Sequence, residues 1–327
     1  MLNSCWARSW INALLVAAIF ASAGCQNLRT RNETKKGPPQ AASGTAAAEN
    51  EFPGVPQPET QKSSGPPTFL NQELPKVGLI LGPGGMKAYA HLGVLREFHK
   101  ARIPVHAVVG LEWGALIGAL YAVQGQVNDA EWKAFKLREE AVGLGGFFSS
   151  RTRPQSVAKM ESFFNEVFAS ARIEQARVPF GCPAHWWNVD RFGFLAKGAF
   201  KEAMRACLPY PPLFTDNNGV TASPGAVDEA AAQLRSLCAN LIILVNVLGK
   251  GEFLPTKAAS DNPSDNVLWS EIRYEMMRAR SPHVHFIINV DTTGHPITDF
   301  AGRRALLEAG AKSSAEVVEK LVQQYGF

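Results

Sequence analysis

The sequence predicts an α/β fold, a three-layer α/β/α sandwich around a mostly parallel central sheet. Three observations carry that expectation. Two strand–turn–helix units follow one another at the start of the folded part, which requires parallel strands joined by crossover helices. Two later apolar runs, Leu241–Val247 and Phe286–Val290, have the length and composition of buried strands. A stretch of helical periodicity, Arg303–Leu321, then closes the chain.

The first unit begins with Val77-Gly78-Leu79-Ile80-Leu81, a short apolar run ending at glycine. Gly82-Pro83-Gly84-Gly85-Met86 is a turn into a helix running from Ala88 to Lys100, with Ala90, Leu92, Val94, Leu95 and Phe98 on its apolar side. The second unit has Ala107-Val108-Val109 as strand and Gly110-Leu111-Glu112-Trp113-Gly114 as turn. Its helix is rich in small and apolar residues, Ala115 to Tyr121. Amphipathic helices follow near Val157–Phe168 and Phe200–Cys207.

Composition bounds the function. Hydrophobic residues make up 46% and charged residues 19% of 327, the balance of a globular protein. The net charge of +4 comes from lysines and arginines interspersed with acids, which argues against a nucleic-acid partner. The expected organisation is a leader over residues 1–24, a linker over 25–72 and one domain over 73–327. Arg8 precedes the apolar stretch Ala13–Ala21, too short to span a bilayer comfortably, and Ser22-Ala23-Gly24-Cys25 follows. Residues 26–72 are rich in Pro, Gly, Ser, Ala, Gln and Thr without apolar periodicity, so they cannot bury a core. As a flexible coil they would hold a domain roughly 35–40 Å from an anchor. The ending of the leader resembles the bacterial lipoprotein cleavage box, with Ser22 in place of the usual Leu. That resemblance implies lipid attachment at Cys25, and Gln26 after it implies sorting to the outer membrane, facing the periplasm. An ordinary signal cleaved after Ala23 or Gly24 is the competing reading.

Cys182, Cys207 and Cys238 are odd in number and lack C-x-x-C spacing, so they are expected to be small buried residues rather than a zinc site or disulfide framework. His185-Trp186-Trp187 and His283-Val284-His285 lack a carboxylate or thiolate at supporting spacing, and no metal is expected. Gly145-Gly146-Phe147-Phe148 reads equally as a lipid-touching lid or a loop folded onto the core.

Two glycine-rich turns remain. Gly82–Lys87 fits neither G-x-x-x-x-G-K-[ST] nor G-x-G-x-x-G, which leaves an oxyanion loop or simply a tight turn needing φ > 0. Gly110-Leu111-Glu112-Trp113-Gly114 has the glycine spacing of the G-x-S-x-G elbow, with Glu112 in the raised position.

Together these blocks resemble the patatin-like phospholipase family. Gly82–Ala88 with His91-Leu92-Gly93-Val94-Leu95 is similar to its glycine-rich oxyanion motif, and the elbow follows at the family's distance. Ala203–Pro209 with Pro211-Pro212-Leu213-Phe214 is similar to its R-A-S-x-x-x-P-x-x-F-x-P stretch. Asn218-Gly219-Val220, Val227–Ala231 and Leu241–Val247 are similar to its D-G-[GA] motif, trailing helix and next strand. The resemblance implies a lipid acyl hydrolase without cofactor, with an elbow Ser as nucleophile, an Asp as base, and an oxyanion loop formed here by Gly84, Gly85 and Met86.

Both catalytic residues are replaced: Glu112 stands at the Ser position between Gly110 and Gly114, and Asn218 at the Asp position. An Asn amide is no base near neutral pH, and a carboxylate is a poor nucleophile toward esters. The expectation is a membrane-tethered, inactive domain that binds lipid, an acyl ligand or a protein partner, with the Glu112 carboxylate lying on the Gly84 and Gly85 N–H groups. The alternatives are an active hydrolase with a rearranged site using Glu112 or Asp216, and a structural envelope lipoprotein.

Overall fold

A computed structural model describes residues 73–143, 155–211, 213–249 and 283–327, together with Trp269 and Ile272. The expected leader, linker, Cys25 and the Gly145–Phe148 loop lie outside the described residues.

The strands are β1 (Val77–Leu81), β2 (Val105–Gly110), β3 (Phe180–Trp186), β4 (Arg191–Leu195), β5 (Val220–Ala222), β6 (Leu241–Asn246) and β7 (Phe286–Asn289). They form one sheet in the order β4-β3-β2-β1-β6-β7, with β5 also paired to β3. β1 lies between β2 and β6 and is parallel to both, and β2–β3 and β6–β7 are parallel as well. Only β4 and β5 run antiparallel, each against β3. Because the chain builds outward from β1 first on one side and then on the other, the topological switch point falls at β1, and its carboxyl end is where α/β sheets place ligands.

The helices are α1 (Ala90–Lys100), α2 (Trp113–Gln124), α3 (Val127–Phe135), α4 (Glu161–Phe168), α5 (Phe200–Cys207), α6 (Val227–Ser236) and α7 (Arg303–Tyr325). Alternation along β1 assigns them to layers: Leu79 and Leu81 pack into the core beneath α1, α2, α4, α5 and α7, while Ile80 joins the core beneath α6 with Trp269 and Ile272. The result is the expected α/β/α sandwich. No helix among the described residues is long and apolar enough to cross a membrane.

The strands and helices expected from periodicity are present with shifted ends. The helix expected from Ala88 begins instead with a 3₁₀ turn, Gly85–Tyr89, a frequent way for an α-helix to start. β3 had no sequence expectation, since Gly181 and Pro183 interrupt it; it survives because Pro183 still takes its register place opposite Phe194. The expectation of buried thiols outside any disulfide is overturned, for Cys238 as well as for the pair described next. Cys182 on β3 and Cys207 at the end of α5 are joined in a disulfide with Cα atoms 6.1 Å apart. Neither spacing nor neighbours announce the pair, because the fold alone brings strand and helix together.

α1 and α7 meet almost backbone to backbone. A Cβ at Gly93 would lie 1.9 Å from the Leu307 carbonyl oxygen, and one at Gly310 would lie 1.9 Å from that of Ala90. Helix propensity alone would make Gly310→Ala stabilising by about 1 kcal/mol. Steric overlap reverses the sign, and urea unfolding of Gly310→Ala is expected to show a loss of roughly 1–3 kcal/mol.

Candidate active site

The elbow is built by close approach. Leu111 donates its N–H to the Leu81 carbonyl at 2.9 Å, tying the turn after β2 to the end of β1. A Cβ at Gly114 would sit 2.1 Å from that same oxygen, and one at Gly110 would sit 2.3 Å from Ala115 Cα. Both glycines are therefore required by space. Between them Glu112 adopts φ 50°, ψ −121° as the residue preceding α2. For a non-glycine residue this is strained by about 1–3 kcal/mol, and such strain persists only where surrounding packing enforces it. The strand-to-helix geometry lifts the Glu112 side chain over the carboxyl edge of the sheet.

The glycine loop leaves the neighbouring strand β1. Gly84 has φ 155° and Gly85 φ 56°, conformations that glycine tolerates. A Cβ at Gly85 would lie 2.4 Å from the Ile297 carbonyl oxygen. That oxygen accepts the Met86 N–H at 2.7 Å, so Met86, expected in the oxyanion loop, has its donor occupied. Two donors converge instead of three. The N–H groups of Gly84 and Gly85 both reach Glu112 Oε2, at 3.0 and 3.1 Å.

Glu112 is wholly buried, and its Oε1 has no hydrogen-bond partner. Burial pushes its carboxyl up to about 7, against the opposing pull of the Gly84, Trp113 and Gly85 N–H groups. It is therefore shared between acid and carboxylate near neutrality. Behind the loop, buried His91 lies with Nε2 2.8 Å from the Gly82 carbonyl oxygen. Burial lowers this imidazole to about 4, so it is neutral at pH 7 and donates that bond through Nε2–H. Above the elbow Trp113 stacks on Phe214, with ring centroids 6.1 Å apart and planes 6° from parallel.

Asn218 sits in a solvent-facing turn. It is exposed, at φ 53° beside Gly219 at φ 78°, in a two-residue turn closed by reciprocal Asn217–Val220 backbone bonds. Its backbone carbonyl accepts from Asn188 Nδ2 at 3.3 Å. Asp216, also exposed, accepts the Gly219 N–H at 2.6 Å and so serves the same turn. Among the described contacts neither residue meets Glu112. Ile297, Phe214 and His91 complete the surroundings of the loop; only the last two fell within recognisable motifs, and nothing near Ile297 in the sequence signals its part. His283 lies against Arg235, and His285 Nδ1 accepts the Ile242 N–H at 3.0 Å, so both histidines serve the edge of the sheet.

Glu112 gives stability a pH signature. Its folded value lies above the ordinary 4.5, so the folded state holds the proton more tightly than the unfolded chain. The contribution is present in full below that ordinary value and is lost as pH rises toward 7. Chemical denaturation is expected to show this part of stability falling by on the order of 3 kcal/mol across the window, with the fall removed in Glu112→Gln.

Comparison with known proteins gives one family. Residues 79–235 match the model of the Patatin family, described as patatin-like phospholipase. The chain is 31% identical over 180 residues to the lysophospholipase NTE1 of Coccidioides immitis, covering 52% of this chain and 11% of that protein. It is 28% identical over 188 residues to the NTE1 of Phaeosphaeria nodorum, covering 55% and 12%. The chain thus spans only about an eighth of the length of these relatives. Among solved structures, VipD from Legionella pneumophila matches with a TM-score of 0.42 and 11% identity over 77% of this chain and 67% of that one. The ExoU–SpcU complex of Pseudomonas aeruginosa matches with a TM-score of 0.39 and 13% identity over 76% and 52%.

Proposed function

We propose that this chain, whose residues 79–235 match the patatin-like phospholipase model, is a membrane-tethered pseudoenzyme, its lipid-hydrolase scaffold kept for binding lipid, an acyl ligand or a protein partner. One observation carries the reading: Glu112 Oε2 lies 3.0 and 3.1 Å from the Gly84 and Gly85 nitrogens. An ester hydrolase needs those donors free for the oxyanion that develops on its substrate. Here a side chain of the protein itself takes both. The same side chain occupies the place where an elbow nucleophile would stand, and a carboxyl spread between acid and base forms near pH 7 cannot substitute for an activated hydroxyl. The exposed turn around Asn218 supplies no base to it.

The full chain is accordingly expected to release no fatty acid from phospholipid, lysophospholipid or nitrophenyl esters above the buffer rate. Turnover that disappears in Glu112→Gln would sink the proposal, since it would make the carboxyl a working group.

The tethering has support of its own. Leader-like residues 1–24, Cys25 and the polar stretch to residue 72 form the pattern of an exported, lipid-anchored chain. The Cys182–Cys207 disulfide belongs to an oxidising compartment such as the periplasm. In cells fed radiolabelled palmitate, label is expected in the native chain and absent in Cys25→Ser, with the native chain in the outer-membrane fraction. Label that survives Cys25→Ser, or a chain recovered with free thiols at residues 182 and 207, would count against an exported lipoprotein.

A further inference from the structure

Large apolar side chains exposed to solvent are concentrated at one point of the described surface. Of the five exposed large hydrophobics, Trp187, Val189 and Phe192 fall within six positions, exposed by 61%, 66% and 38%. Trp187 and Val189 lie in the connection between β3 and β4, and Phe192 is the second residue of β4. The tip is also firmly held. Trp187 donates its backbone N–H to the Gly219 carbonyl at 2.8 Å and its indole N–H to Thr221 Oγ1 at 2.9 Å, so the β3–β4 hairpin and the neighbouring turn support each other. Arg191 lies over the Trp186 ring, 5.0 Å from its centroid.

Its direction follows from the sheet. β3 runs parallel to β2, with Val109 opposite Gly181, so Trp186 lies beyond the strand end that carries the elbow. From the level of Gly110 to Trp186 is about four residues, roughly 13 Å of extended strand past the edge of the sheet. The apolar tip therefore projects from the same edge as Gly84, Gly85 and Glu112.

We propose that this tip is a lipid-contact surface that seats the domain on a bilayer. Three features select a lipid surface over another occupant. The tip offers on the order of 250 Å² of apolar side chain, well short of the roughly 800 Å² per partner that a stable protein interface buries. Its tryptophan keeps the indole N–H on a polar partner while the ring, packed against His185, stays 61% exposed, the amphipathic arrangement that favours the interface between headgroups and acyl chains. The tip carries one residue of each sign: Arg191 lies over the Trp186 ring, and Asp190, 93% exposed, lies 3.3 Å from His185 Nε2. Binding is thus driven by apolar insertion and is indifferent to salt. The proposal rests on the membrane-tethered reading, because a surface this small is most effective on a domain already held near a bilayer.

The test uses the full chain on zwitterionic phosphatidylcholine vesicles with brominated acyl chains, reading quenching of tryptophan emission. Relative to the native chain, Trp187→Ser is expected to lose at least about twofold of the quenching, while Trp132→Ser, at an exposed tryptophan on α3, loses little. High salt should leave the pattern unchanged, and an unaltered thermal unfolding curve shows that each variant is folded. Quenching insensitive to Trp187→Ser overturns the proposal. So does self-association without vesicles that vanishes in Trp187→Ser with Phe192→Ser, which would assign the tip to a second copy of the chain. A chain found in the membrane fraction with Trp187 unquenched would remove the tip and leave the tether. Quenching of Trp187 in a chain carrying no lipid on Cys25 would do the reverse.

Discussion

Two backbone N–H groups turned into the interior of an α/β domain need an acceptor, and everything around the site follows from how Gly84 and Gly85 obtain one. Leaving buried donors unpaired costs about 1–3 kcal/mol each. Water or a ligand meets that demand in an open site. In this chain a carboxyl from the adjacent turn meets it, wholly buried and reaching both donors with one oxygen. The arrangement is itself a compromise. Desolvation raises the carboxyl to about 7, so the group that best satisfies the two N–H donors as an anion spends much of its time as a neutral acid near neutral pH.

The scaffold that imposes this arrangement is demanding in its own right. Gly110 and Gly114 leave no room for a Cβ, and Glu112 keeps a backbone conformation that a side chain normally avoids. Such strain is what an elbow needs to present a reactive group. Here the geometry persists while the group presented is different, so backbone form and chemistry separate at this site. The packing that enforces the turn, from Leu81 beneath it to Trp113 and Phe214 above it, depends little on what the raised side chain can do.

Much of this was legible in the residues. β1 and β6 are nearly continuous apolar runs, and α5 has a clean amphipathic pattern, so local chemistry and final environment agree. The contact between Glu112 and the glycine loop was legible too, because two glycine-rich turns on adjacent parallel strands must end beside one another. Other features depend on partners distant in the chain. β3 carries Pro183 and Gly181 and becomes a strand only because β2, β4 and β5 pair with it. The Cys182–Cys207 bond joins elements with no shared signature. Motif correspondence located Asn218 but not its environment: an Asn-Gly pair suits a positive-φ turn, and the chain uses it as one. Met86 was assigned to the loop by the same correspondence, yet Ile297 takes its donor.

The contact between α1 and α7 bears on the order in which the molecule can be assembled. β1 has β6 as one of its two neighbours, and α1, which follows the glycine loop directly, is covered by the last helix of the chain with Gly93 and Gly310 at the crossing. β1 and α1 therefore reach their native surroundings only once β6 and α7 are in place. Pairings so distant in sequence form slowly. Until those distant partners dock, the apolar faces of β1 and α1 are the surface through which an incompletely folded chain would aggregate.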